Sequence, residues 1–168
     1  MPLQKQVNIY PAEGIPGDQA TNSQAIYTVH NPLCSVNLPV GGFVFPVIED
    51  GEPDYTMATN VAGEATEVMG FVERNPVYIN FDVLSEGTLT VPAGSALTVA
   101  VKGDYWAVSS TDATVGQAVL ASTEDGSVST GTADATHIDT GWVVRKGGAA
   151  GEPIIISNWG IQAPKTAA

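Results

Sequence analysis

Residues 88–108 read TLTVPAGSALTVAVKGDYWAV. Three short runs rich in apolar and β-branched residues, 88–91, 96–101 and 105–108, are separated by Pro92-Ala93-Gly94 and Lys102-Gly103-Asp104. Proline and glycine supply turn geometry, and runs of this length between them predict strands. The pattern extends in both directions. Upstream, 77–84 alternates Val77, Ile79, Phe81 and Val83 against Tyr78, Asn80 and Asp82, and Glu86-Gly87 closes it as a turn. Further strands are expected at 25–30, 42–48 and 68–72, with Pro46 marking an edge or a bulge and an acidic turn at 49–54. Downstream, 118–121, 127–130, 140–145 and 154–158 continue the series, with Glu124-Asp125-Gly126 as one of the turns. No window carries the i, i+3, i+4, i+7 apolar stripe of a helix, and no fixed repeat of 20–50 residues is present. Short strands at this spacing predict an all-β fold, an antiparallel jelly roll or β-barrel/sandwich.

The first 24 residues differ from this pattern. Pro2, Pro11, Pro16, Gly14 and Gly17 interrupt them and neither periodicity is sustained, so they read as an extended N-terminal arm ahead of a single β domain at 25–168. The chain has 168 residues, 43% hydrophobic and 14% charged, enough apolar material for a core and too few charges for a disordered polymer. Its 18 acidic residues face 6 Lys and Arg, a net charge of −12, which repels phosphate backbones and argues against nucleic acid as a partner. The N-terminus lacks the apolar run of a signal peptide and no 18 consecutive apolar residues occur, so neither secretion nor a membrane partner is expected. Cys34 is the sole cysteine, which excludes an internal disulfide and fits a reducing compartment.

Residues able to do chemistry are few. His30, Asn31 and Cys34 supply the groups of a Cys-His-Asn site, but such groups come together from distant parts of a fold, and a strand end running into the Asn31-Pro32 turn explains them. His137 and Asp139 form an H-x-D pair without the further ligands that zinc needs. The acidic turn at 49–54 lacks the ligand spacing of a calcium loop, and 146–151 (KGGAAG) lacks that of a P-loop and reads as a flexible hairpin connection. Trp106, Trp142 and Trp159 could stack on a sugar, but neighbouring β-branched residues and glycine point to core positions. The chain reads as a protein that binds other protein surfaces rather than as an enzyme.

The opening MPLQKQVNIYP (1–11), followed by Gly14-Ile15-Pro16-Gly17-Asp18, resembles the start of tailed-bacteriophage structural cement proteins, auxiliary capsid proteins that bind the outside of the shell. The likeness continues, in order, through Met69-Gly70-Phe71-Val72-Glu73-Arg74, Leu89-Thr90-Val91-Pro92-Ala93-Gly94 and Gly103-Asp104-Tyr105-Trp106-Ala107-Val108. It ends at Ala113-Thr114-Val115-Gly116-Gln117-Ala118-Val119 and Asp125-Gly126-Ser127-Val128. Residues 131–168 carry no match to this set. The resemblance implies a jelly-roll-like β domain, no cofactor, no catalytic residues and contact with the major capsid protein. It also implies self-association, as dimers at two-fold positions in some relatives, while other decoration proteins form trimers. The expected role is a cement protein made in the host cytoplasm, placed on the outer capsid surface and bridging capsomers. The alternative is a carbohydrate- or receptor-binding β module of a phage particle. An extended arm suits bridging because it can add a strand to a neighbouring sheet edge, with Val7, Ile9, Tyr10 and Pro11 as anchors.

Overall fold

The computed structural model describes residues 14–77 and 89–159, and among these there is no helix. The described strands, in chain order, are β1 (Ile26–Tyr27), β2 (Leu33–Cys34), β3 (Leu38–Pro39), β4 (Phe43–Glu49), β5 (Glu52–Thr59), β6 (Gly70–Val72) and β7 (Thr90–Val91). They continue with β8 (Val99–Lys102), β9 (Asp104–Val108), β10 (Ala118–Ser122), β11 (Val128–Thr130), β12 (His137–Lys146) and β13 (Pro153–Ser157). One sheet runs β1-β8-β6-β4-β5-β2 and a second β11-β10-β12-β13-β9, while β3 and β7 form a two-stranded ribbon. Pairings between the described strands are antiparallel except β2 with β5, and a parallel bridge joins Ser109 to Val128 of β11, departures from the expected antiparallel pattern. The six-stranded sheet is curled: Tyr55 of β5 lines the same groove as Ile26 of β1 and Val101 of β8, although β4 and β6 lie between β5 and β8. The all-β sandwich or barrel expected from the sequence is the architecture observed.

Side-chain alternation explains the layers. Phe43, Phe45, Phe71 and Ala100 leave one face of the six-stranded sheet and join Tyr105, Val119, Trp142, Ile154 and others of the five-stranded sheet in one core. Val44, Val72 and Val99 join a second core with Leu38 and Val91 of the ribbon, Leu97 and Cys34. Buried on both faces, the middle strands read as near-continuous apolar runs, FVF in β4 and GFV in β6. The five-stranded sheet buries chiefly its inner face, and β9 accordingly alternates half-buried and buried residues. At the centre, Phe43 and Phe71 from one sheet meet Trp142 from the other at ring separations of 6.1 and 5.9 Å, and Tyr105 lies 6.0 Å from Trp142.

Three local features trace directly to particular residues. The register of β4 against β5 shifts at Pro46/Val47, the bulge that the proline led us to expect. The acidic stretch 49–54 is a turn only at Asp50-Gly51, whose φ values of +52° and +84° fit a type I′ hairpin; the chain is already β5 by Glu52. The β10–β11 hairpin tip docks on the other sheet, with the Phe43 N–H donating to the Gly126 carbonyl (2.8 Å) and the Ala62 N–H to that of Thr123 (2.9 Å). The alternating stretch expected at 77–84 lies, apart from Val77, outside the described residues.

Candidate functional site

The expected anchors Val7, Ile9, Tyr10 and Pro11 lie outside the described residues. The segment just after them is placed in detail. β9 is an edge strand of the five-stranded sheet, and residues 17–20 run antiparallel along it, with Gln19 opposite Tyr105. Gly17 N–H donates to the Trp106 carbonyl (2.8 Å), Trp106 N–H to the Asp18 carbonyl (2.9 Å) and Ala20 N–H to the Asp104 carbonyl (2.8 Å). The segment is thus an added strand that closes the β9 edge.

Side chains reinforce this root. Gly14 lies flat against Trp106: a Cβ there would come within 2.1 Å of the indole Cδ2, so only glycine permits the approach. Lys146 Nζ sits 5.1 Å from the centroid of the Trp106 ring. Arg74 donates through its backbone to the Gly17 carbonyl (2.9 Å) and through its guanidinium to Asp18 (3.1 Å). That ion pair is largely exposed and worth about 0–1 kcal/mol, so the backbone bonds carry most of the attachment. Behind the root, buried Tyr105 donates its hydroxyl to Glu73 (2.7 Å), and Gln19 donates its amide to the Tyr27 hydroxyl (3.1 Å). Burial and the Glu73 carboxylate push the Tyr105 phenol well above its ordinary range, which keeps it a hydrogen-bond donor.

Asp104 fastens the far end by accepting from the hydroxyls of Thr21 (2.8 Å) and Ser23 (2.9 Å). Burial pushes its carboxyl up, but the hydroxyls of Ser157, Thr21 and Ser23 and the charge of Arg145 outweigh that effect and hold it below the usual range. With a depressed folded value, ionised Asp104 contributes stability above the unfolded pKa of about 3.9, and that contribution is lost as pH falls through the folded value. Acidification from about pH 5 to about pH 3 is therefore expected to speed amide exchange in 17–23 relative to β10, which does not touch Asp104. Hydrogen-exchange mass spectrometry checks this; an unchanged ratio would show that Asp104 does not hold the root.

The other candidate groups remain apart. Cys34 is 2% exposed, and burial pushes its thiol up to about 11, so it is protonated at neutral pH, whereas His30 is exposed. His137 turns to Asp134 (Nδ1 to Oδ1, 3.0 Å) rather than to Asp139, which accepts from the Gly141 N–H (2.9 Å). The Thr136 hydroxyl and N–H, with His137, hold the Asp134 carboxyl at about 2. Among the described residues no three His, Cys, Asp or Glu side chains gather as metal ligands. The glycine-rich stretch 146–151 does join β12 to β13, but it is pinned rather than flexible: Ala113 pairs with Gly148, and the Ala150 N–H donates to Asp112 (2.9 Å). The expectation of three core tryptophans holds only for Trp142, since Trp106 is half-buried beneath Gly14 and Lys146 and Trp159 is 37% exposed. Their neighbours in sequence do not reveal that Trp106 faces outward and that Trp159 lies beyond the last strand.

Sequence reasoning missed the partners of the root, Trp106, Arg74 and Asp104, because they meet it only through the fold. It also missed an exposed apolar groove at β1, lined by Ile26, Tyr27, Val29, His30, Tyr55 and Val101 among others. The signal present in the sequence was that both faces of 25–30 carry large apolar side chains.

Comparison with curated proteins gives no match. Among solved structures, a chain in the capsid of Myoviridae phage XM1 is similar at a TM-score of 0.64 and 13% identity, over 94% of this chain and 98% of that one. At that identity the likeness is one of fold. The head fiber gp8.5 N base in bacteriophage phi29 is similar at a TM-score of 0.47 and 11% identity, over 86% of this chain and 100% of that one, a score too low to argue from. The model of the XM1 gp53 minor capsid protein family matches residues 3–158, nearly the whole chain, and the protein belongs to that family.

Proposed function

We propose that this chain is a cement protein that binds the outer surface of a phage capsid shell and bridges capsomers through its N-terminal segment. Membership of a minor capsid protein family supports the broader statement, a structural protein of a phage virion. The observation that carries the finer reading is the root: residues 17–20 are fastened as a strand to the β9 edge, so the chain before Gly14 starts from a fixed point on a rigid body. Fully extended, residues 1–13 can reach up to about 45 Å from that point. Val7, Ile9, Tyr10 and Pro11 are the anchors in this reading, inserting at a sheet edge of the major capsid protein. The net charge of −12 suits a face turned away from packaged DNA. Self-association on the shell, as a dimer or a trimer, belongs to the same proposal. Of the three tryptophans that a carbohydrate-binding module would use as a platform, Trp142 is buried and Trp106 lies beneath Gly14 and Lys146, which leaves Trp159 as the exposed one.

The test is binding to shells. The full chain is expected to co-purify with virions at a fixed ratio to the major capsid protein. Deleting residues 1–12 is expected to abolish binding to stripped particles while leaving the β circular-dichroism spectrum unchanged. A truncated chain that still binds would remove the arm from the mechanism, and absence of the full chain from particles would remove the cement role.

A further inference from the structure

The described sheet edges are unequally protected. β9 carries the root strand. On β11, Ser109 lies parallel to Val128, and the Ser110 N–H donates to the Val128 carbonyl (2.8 Å). β2 is flanked by 95–97, with the Cys34 N–H donating to the Ser95 carbonyl (2.9 Å) and the Leu97 N–H to that of Pro32 (2.8 Å). β1 pairs with β8 on one side, and on the other no backbone partner is present among the described residues. An unpaired edge of this kind is a template for a further strand.

The open edge borders the apolar groove, whose volume is about 480 Å³. Ile26 and Tyr55 are each 45% exposed and Tyr27 and Val101 each 37%, a cluster of exposed apolar side chains that marks an interaction surface. Val29 is 99% exposed and belongs to the same lining, so a fully projecting apolar knob stands beside an apolar hole. A knob and a hole of matching chemistry on one face are self-complementary, the property that an interface between identical copies requires. Charge favours the same occupant. Lys102 lies opposite Ile26, while the Tyr55 hydroxyl at the groove donates to exposed Glu67 (2.7 Å), so each copy offers a cation and a carboxylate beside the apolar contact that two copies can pair across the interface.

We propose that the β1 edge and its groove form the face through which copies of this chain associate, the Val29 of one copy entering the groove of the next. This deepens the self-association in the proposed function and rests on it. The test compares the full-length chain with Val29→Asp by analytical ultracentrifugation over a concentration series. Because Val29 touches almost nothing within its own chain, the substitution is expected to leave the thermal melt unchanged, and the melt serves as the folding control. The wild type is expected to form a dimer or trimer, with amides 25–30 gaining exchange protection on assembly. Val29→Asp is expected to weaken association about tenfold or more, because a carboxylate would be buried against an apolar wall. Several results would overturn the proposal: a wild type that stays monomeric, or a variant that associates as the wild type does. So would protection of 25–30 that appears only on shells, which assigns the face to the capsid protein, or that vanishes from the monomer on deleting 1–12, which assigns it to the chain's own arm. Binding to stripped particles, measured in parallel, separates the two claims. A monomeric Val29→Asp that still binds leaves the cement role standing, and a wild type that associates through this face yet never binds removes that role alone.

Discussion

Replacing Trp142 by alanine is expected to destabilise the folded protein by about 3–5 kcal/mol, the range for deleting a large buried aromatic side chain. Trp142 is 2% exposed and is the largest ring where the two sheets meet, with Phe43 and Phe71 on the opposite sheet and Tyr105, which also meets Phe71 (5.4 Å), on its own. Each ring contact adds about 0.5–1.5 kcal/mol to the burial itself. The cavity would be bounded by strands of both sheets, whose backbone bonds resist collapse. At about 2–4 °C per kcal/mol for a chain of this size, the melting temperature should fall by roughly 6–20 °C. Trp106→Ala is the control. Its ring lies on the outer face beneath Gly14 and Lys146, so the change should cost much less in melting temperature while loosening residues 14–20. A melt of Trp142→Ala within a degree or two of the Trp106→Ala melt would show that the aromatic cluster is not what joins the sheets.

Gly126→Ala should have the next largest effect, about 2–5 kcal/mol, because two costs act together. Gly126 has φ +69°, a left-handed conformation that costs a residue with a side chain about 1–3 kcal/mol. A Cβ there would also lie 2.1 Å from the Phe43 carbonyl oxygen, a backbone atom that can yield only by moving β4. The same contact includes the Phe43 N–H bond to the Gly126 carbonyl, so relieving the clash pulls the hairpin tip off the opposite sheet. Gly51→Ala separates the terms, since Gly51 has φ +84° but nothing within 4 Å of the added Cβ. Chemical denaturation should rank Gly126→Ala well below Gly51→Ala; equal midpoints would mean that the steric contact is relieved without cost.

Much of the fold could be read from residues 88–108, because the turn chemistry at Pro92-Ala93-Gly94 and Gly103 coincides with the ends of β7, β8 and β9. β5 was not legible. It opens Glu-Pro-Asp and most of its residues are exposed or half-buried, so it lacks the apolar alternation that marks a strand, and its first residues pass for a turn. The first half of β12 was legible only through the H-x-D spacing, which sets His137 and Asp139 on one face of a strand, and that strand pairs with β10. Strand order was out of reach because β8, β6 and β4 are neighbours in space yet tens of residues apart in sequence. The same limit applied to the candidate site. Gly14 and Gly17 are visible as breakers, but what demands glycine there is Trp106 at one position and Arg74 and Val40 at the other.

The strand at 17–20 also has a mechanical consequence. Antiparallel ladder bonds lie perpendicular to the strands they join. Tension drawn along this strand from its N-terminal side would therefore load the bonds to Trp106 and Asp104 in shear, all at once, instead of opening them one by one as in peeling. Bonds that share a load must fail together, so this attachment should resist a sideways pull far better than a lift away from the sheet. In the proposed bridging role, a pull along the strand direction is the one this root would resist best.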